Sequence, residues 1–405
     1  MTDTIKTSIS LSKLAALVRM DVPAQMRNCT NPWGEFKGQY VAPSTQKSAM
    51  TNTKTKWVIR CEPGTGQLEG YNVPAFIEAE LNIPNAVTGQ NVEHGTSVFA
   101  SGVSSLELQR IWLANCGLPR EQLDLLTVDD VRLNGVTITY LMHFSTRSQA
   151  EELVEAIGIT GRILNDDCNV HLSSNDTVYI PERDYKVTAY IKSDFSHCAW
   201  IDGTTKTQMT EAAAYIVRIE SVLSLPFLRA RNLIPLVRWQ DAYSTGLYER
   251  IFNDTVRASL RLTGGILRHK APREEVMAKL TPTEAKVLRG YLATPPLEPR
   301  KSKSVQDSVN PSKRFHELRK SILQQTRIDI NIPWKKHSKL RCFELADSLV
   351  YPGDYSPSED RAALSFCEAN WPKIREDMQL AYERALAVAE ARNASKVARV
   401  MGAIV

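Results

Sequence analysis

The sharpest alternation of apolar and polar positions runs over residues 186–192, where Val187, Ala189 and Ile191 interleave with Lys186, Thr188, Tyr190 and Lys192. A period of two marks a strand with one buried face. Residues 177–180 precede it, and the turn Pro181-Glu182-Arg183-Asp184 makes the two a hairpin. The same period predicts strands at 56–60, 75–81, 128–144 and 214–221, with an edge strand around 39–41. In the 75–81 strand Phe76, Glu78 and Glu80 share one face, and Ala75, Ile77 and Ala79 the other. A helical period appears at 10–18, at 106–116 with Gly117 and Pro119 to end it, and at 147–157.

After Pro226 the pattern turns helical: 241–262, 272–280, and a helix opened by Thr281-Pro282-Thr283-Glu284 that reaches Leu292. A Pro/Lys/Ser-rich linker follows, then a basic helix at 314–325, a short strand at 328–332 and two helices within 360–401. The expected class is α+β: an antiparallel sheet with helices packed on one face and the other face free for a site, followed by a mostly α-helical C-terminal region. The expected boundaries are 1–235, a helical 236–295, a linker at 296–312 and a helical 313–405. Short helices followed by an extended ribbon read either as a helix-turn-helix unit or as a plain helical appendage.

Composition narrows this modestly. A chain of 405 residues, 43% apolar and 23% charged, has the make-up of a globular protein of two or three domains. A net charge of +5 permits a nucleic-acid partner without demanding one. Seven scattered cysteines without a CxxC pair point to a reducing cytoplasm and away from a zinc ribbon. With no apolar leader at the start and no run of eighteen apolar residues, neither export nor a membrane span is expected.

The candidate chemistry sits on the polar faces of the strands. Tyr190 and Lys192 project to the same side, and a phenol beside an ammonium can act as a nucleophile toward a phosphodiester. The alternative is a surface strand in which both side chains are solvated. Glu78 and Glu80 read either as a metal site or as solvated surface. Gly89-Gln90-Asn91 is too degenerate for a phosphate loop and no Walker pattern is present.

Taken together, Leu11-Ser12-Lys13-Leu14-Ala15, Phe76-Ile77-Glu78, Gly89-Gln90-Asn91-Val92, Val136-Thr137-Ile138-Thr139-Tyr140, Ala189-Tyr190-Ile191-Lys192 and Val217-Arg218-Ile219-Glu220 follow a familiar order and spacing. Over residues 8–235 the chain resembles the gene II protein family of filamentous bacteriophages and its plasmid relatives. The resemblance implies a rolling-circle replication initiator in the cytoplasm of a host bacterium, with a fold like that of the HUH endonucleases. Such a protein nicks one strand of circular duplex DNA at an origin through a tyrosine, keeps a 5′-phosphotyrosine link, and rejoins displaced single strands.

On this resemblance Tyr190 is the nucleophile, while Lys192 and Arg218 hold phosphate. Glu78, Glu220 and His143 are the candidate ligands of a divalent metal, Mg2+ or Mn2+. Asn91, Arg229, Arg231, Arg314, Arg319 and Lys320 are the candidate DNA contacts. Residues 1–235 would then be the nicking and joining domain, residues 313–405 the DNA-binding region, and a host replicative helicase and polymerase the further partners. The chain departs from the family where Gln90 replaces a histidine and Thr137 an acid; His94 and Asp129-Asp130 lie near those places. The departures favour, as the alternative, a DNA-binding replication or regulatory factor with a decayed metal site. A structural or interaction protein of unrelated α+β fold is the third reading.

Overall fold

A computed structural model describes residues 2–14, 26–30, 36–41, 44–47, 54–63, 72–83, 96–115, 118, 120–165, 167–171, 177–192, 203–293 and 311–353. The strands are β1 (Thr2–Ser10), β2 (Met26–Thr30), β3 (Phe36–Val41), β4 (Ser44–Lys47), β5 (Lys54–Pro63) and β6 (Asn72–Leu81). They continue with β7 (Val131–His143), β8 (Asn169–His171), β9 (Thr177–Pro181), β10 (Tyr185–Ile191) and β11 (Ile216–Ser224). All join one antiparallel sheet in the order β2-β3-β5-β6-β1-β7-β11-β10-β9-β8, with β4 paired to β5. The strands expected at 39–41, 56–60 and 75–81 lie within β3, β5 and β6; those expected at 128–144 and 214–221 overlap β7 and β11, with a 3-10 turn at Val128–Asp130 and a turn at residues 214–215; and the 177–192 hairpin forms as expected.

The start of the chain differs from expectation. Residues 2–10 form β1, the central strand between β6 and β7, and the helix expected at 10–18 is replaced over Ser10–Leu14 by a strand end and a turn. Residues 15–18 lie outside the described residues. Ile5 and Ile9, both fully buried, give β1 an apolar side. The backbone groups left by β6 and β7 are satisfied only when a strand sits between them, and this outweighs the helical spacing of Leu11, Leu14 and the residues after them.

Two long helices cover one sheet face. Helix α1 (Val98–Asn115) packs on β1, and α2 (Arg147–Leu164) packs on β9, β10 and β11. α1 begins eight residues before the expected start because its first turns are built from Ser, Gly, Ala and Val, which carry little periodic signal. Those small residues allow close approach: a Cβ at Gly102 would meet the Leu236 side chain at 2.3 Å. Where α1 meets β1, Thr7 Oγ1 lies 2.7 Å from Ser105 Oγ and accepts from Gln109 Nε2 at 2.8 Å, which pairs these buried atoms with one another.

Beyond β11 every described element is helical. A shorter helix α3 (Gly203–Ala213) leads into β11; after it come α4 (Leu247–Phe252), α5 (Pro282–Ala293), α6 (Pro311–Thr326), α7 (Cys342–Ser348) and several shorter turns. Helix α5 opens where expected, with Thr281 N and Oγ1 both donating to Glu284 Oε2 at 2.8 Å. The strand expected at 328–332 is a turn instead, held by Asn331 N donating to Asp329 Oδ1 at 3.0 Å and by Asp329 N donating to His337 Nε2 at 3.0 Å. Without that ribbon the helix-turn-helix reading loses one of its parts. The helices expected within 360–401 and residues 296–310 of the linker expected at 296–312 lie outside the described residues, and Pro311 and Ser312 already belong to α6.

The expected break at residue 235 does not interrupt the core. One apolar cluster runs from Ile5 through the sheet and α1 to Tyr248, Phe252 and Val256, and on to Leu345 and Leu349. A second, smaller cluster gathers Met277, Leu288, Tyr291, Ile322 and Ile328. Among the described residues no helix is long and apolar enough to cross a membrane.

Candidate active site

Residues directly opposed in an antiparallel pair share a face. Tyr190 opposes Arg218, which opposes Leu141; one step along, Thr188 opposes Glu220, which opposes Thr139. All project away from α1 and α2, since the intervening Tyr140, Ile219 and Ala189 lie in the core on the helical side. This polar face is less open than expected. Arg218 and Thr139 are each only 2% exposed and Thr188 is buried with them, so the charged centre of the site is largely shielded from water.

The Tyr190 hydroxyl donates to Glu220 Oε1 at 2.7 Å. Arg218 Nη2 lies 3.5 Å from Glu220 Oε1 and 3.5 Å from Asp3 Oδ1, and its guanidinium carbon sits 5.9 Å from the centre of the Tyr190 ring. Asp3 was not singled out in the sequence, and its position depends on a bulge. Thr2 pairs with Ile138 and Thr4 with Thr137, so Asp3 is the extra residue of β1. A bulge re-aims a side chain, and here it brings a carboxylate to Arg218. Asp3 Oδ2 also accepts from Asn82 Nδ2 at 3.2 Å and Thr4 Oγ1 at 3.3 Å, which fixes its orientation.

These contacts set the protonation states. Burial, opposed by Arg218 and reinforced by Glu220, holds the Tyr190 phenol well above its ordinary range. Burial and the nearby Asp3 charge raise the Glu220 carboxyl against the pull of Arg218. Tyr190 is therefore a neutral phenol presented to a carboxylate of raised basicity. A guanidinium, that of Arg218 on the adjacent strand, stands beside the ring, and Lys192 directly follows the end of β10.

The three expected metal ligands do not converge. Glu78 opposes Ser8, and Ser8 opposes Arg132, while Glu220 opposes Thr139 at the other end of β7. Glu78 is therefore displaced from Glu220 by on the order of 20 Å along the strands. His143 lies four residues past Thr139, or roughly 13 Å, and lines a separate cavity with Glu152 and Arg341. Among the described residues no group of three or more His, Cys, Asp or Glu could hold a metal ion. The predicted ligand set does not fit a single ion, because the register separates residues that the strand pattern placed on one face.

The expected DNA contacts divide. Arg319 is held by Asp329 through two hydrogen bonds of 2.7 and 2.6 Å, and Arg231 pairs with Asp254 at 3.2 Å while covering the Phe227 ring at 3.8 Å. Arg229 and Lys320 are exposed. Asn91 and the Arg314 side chain lie outside the described residues, as do Gln90 and His94. Comparison with protein-family models, curated proteins and solved structures returns no match for this chain.

Proposed function

We propose that the chain is a tyrosine nicking and joining enzyme that initiates rolling-circle replication of circular DNA. The observation that supports this most directly is the Tyr190 hydroxyl donating to Glu220 with the Arg218 guanidinium alongside. A phosphodiester admitted between Tyr190 and Arg218 would meet a nucleophile, a base and a charge-stabilising cation together. Glu220 takes the phenolic proton, the tyrosine oxygen forms a bond to phosphorus, and the bond to the 3′ oxygen breaks. That oxygen leaves as a hydroxyl on taking up a proton. Arg218 faces the charge that builds on the non-bridging oxygens. The aryl phosphodiester retains the energy of the broken linkage, so the reverse attack by a 3′-hydroxyl rejoins a strand without a nucleotide cofactor. No step is assigned to a metal ion.

The test incubates the protein with supercoiled plasmid carrying the cognate origin, with and without magnesium or manganese. Relaxed circles bearing protein on a 5′ end are expected, and Tyr190→Phe should abolish that adduct while sparing DNA binding. An adduct of undiminished yield in Tyr190→Phe would remove Tyr190 from the mechanism. The separation of Glu78 and His143 from Glu220 favours a second reading, a DNA-binding factor without nuclease activity. The same assay separates the two, since that protein binds origin DNA and leaves it supercoiled.

A further inference from the structure

Tyr179 stands in the same cross-strand row as the site. It opposes Thr188 on β10, which opposes Glu220 on β11, so the three share the polar face. At the ordinary spacing between strands the Tyr179 backbone lies about 10 Å from that of Glu220. The Lys186 ammonium lies 5.5 Å from the centre of the Tyr179 ring, and both side chains are half-buried. The face beside Tyr190 thus offers an aromatic plane and a cation as neighbours.

We propose that Tyr179 and Lys186 form a stacking platform for one unpaired base of the DNA strand, next to the phosphate presented to Tyr190. The assignment rests on the nickase reading and extends it to the form of the substrate. A base has a π-face to lay on the phenol ring, and the nucleotide carrying it has a phosphate to receive the ammonium. Lys186 exchanges its contact with the ring for one with phosphate as the base takes its place against the ring. A base stacked inside a duplex has no free face to offer, so the platform selects a strand already melted or extruded at the cutting position.

The experiment measures binding of a fluorescently labelled single-stranded oligonucleotide by anisotropy, over a salt series. One abasic unit is stepped through its positions. Tyr179→Leu, which keeps bulk without an aromatic face, should weaken binding about tenfold, whereas Tyr179→Phe should stay within about twofold of the parent. An abasic unit at one position should cost the parent the same factor and cost Tyr179→Leu nothing more. Lys186→Met should lower the slope of log affinity against log salt by about 0.7. Parent-like binding by Tyr179→Leu, or an abasic penalty that persists in that variant, would overturn the platform. Those results leave the nickase reading intact, because the Tyr190 adduct is scored separately. A parent protein that binds no single strand and forms no adduct would remove both.

Discussion

At the residue level, the proposed chemistry depends on the proton held between Tyr190 and Glu220. Tyr190 keeps its proton because the site is buried and a carboxylate, not bulk water, receives the hydrogen bond. In the proposed reaction Glu220 is the base, and its raised proton affinity brings it closer to that task than an ordinary surface carboxylate. Glu220→Gln should slow adduct formation by about 10²–10⁴-fold while leaving DNA binding near parent levels. In the parent the rate should fall as pH drops through the folded-state pKa of Glu220, with an acid limb above the usual carboxylate range. The variant should lose that limb. Single-turnover cleavage measured across pH checks both, and a parent-like acid limb in Glu220→Gln would reassign the base. The alternation around Tyr190 was visible in the sequence because a strand's period is local. The partners of Tyr190 were only partly visible: Arg218 and Glu220 could be placed on a polar face, but their pairing with β10 is a matter of register. Asp3 gave no periodic signal, since a bulge breaks the very alternation by which strands are recognised.

At the level of elements, the same distinction separates what could be read from what could not. Strands β5 to β7 and β9 to β11 carry their own alternation, whereas β1 is a strand because two neighbours need it, and the early turns of α1 are built from small residues, one of which lies against the Leu236 side chain. Helix α6 shows the cost of reading charge alone. Its basic residues suggested phosphate contacts, yet Arg319 spans to Asp329 and locks the turn that replaces the expected strand. Burial acts to raise the Asp329 carboxyl, but hydrogen bonds from Arg319 and the Asn331 amide overcome it and leave the group below its usual range. Arg319→Ala should therefore act on folding: a loss of about 2 kcal/mol in urea unfolding, with an unchanged salt slope for DNA binding. Lys320→Ala, at an exposed neighbouring position, should show the reverse. A reduced salt slope in Arg319→Ala would return that residue to the DNA contacts.

Across the whole molecule, the sheet and the helices after residue 235 share one interior. Tyr140 on β7 donates to the Tyr248 carbonyl at 3.3 Å and meets the Phe252 ring edge-on at 4.9 Å. Ser221 on β11, one residue from the candidate base, lies 2.7 Å from Thr255 Oγ1. The buried Trp239, Tyr248, Phe252, Val256 and Leu260 all come from beyond the boundary expected at residue 235. At about 1.5–3 kcal/mol for each buried side chain, these five contribute on the order of 10 kcal/mol. That is comparable to the entire stability of an ordinary domain, about 5–15 kcal/mol. A fragment ending at residue 235 would keep Asp3, Tyr190, Arg218 and Glu220 but leave Tyr140 and Ser221 without Tyr248, Phe252 and Thr255, although α2 would still cover part of β11. It should lack a cooperative thermal transition and the near-ultraviolet circular dichroism of fixed aromatic packing, while the full chain shows both. It should also form no DNA adduct, because the register that brings Glu220 to Tyr190 is held from behind by those helices. A fragment 1–235 that melts cooperatively and still nicks would show instead that the sheet and its two long helices fold alone.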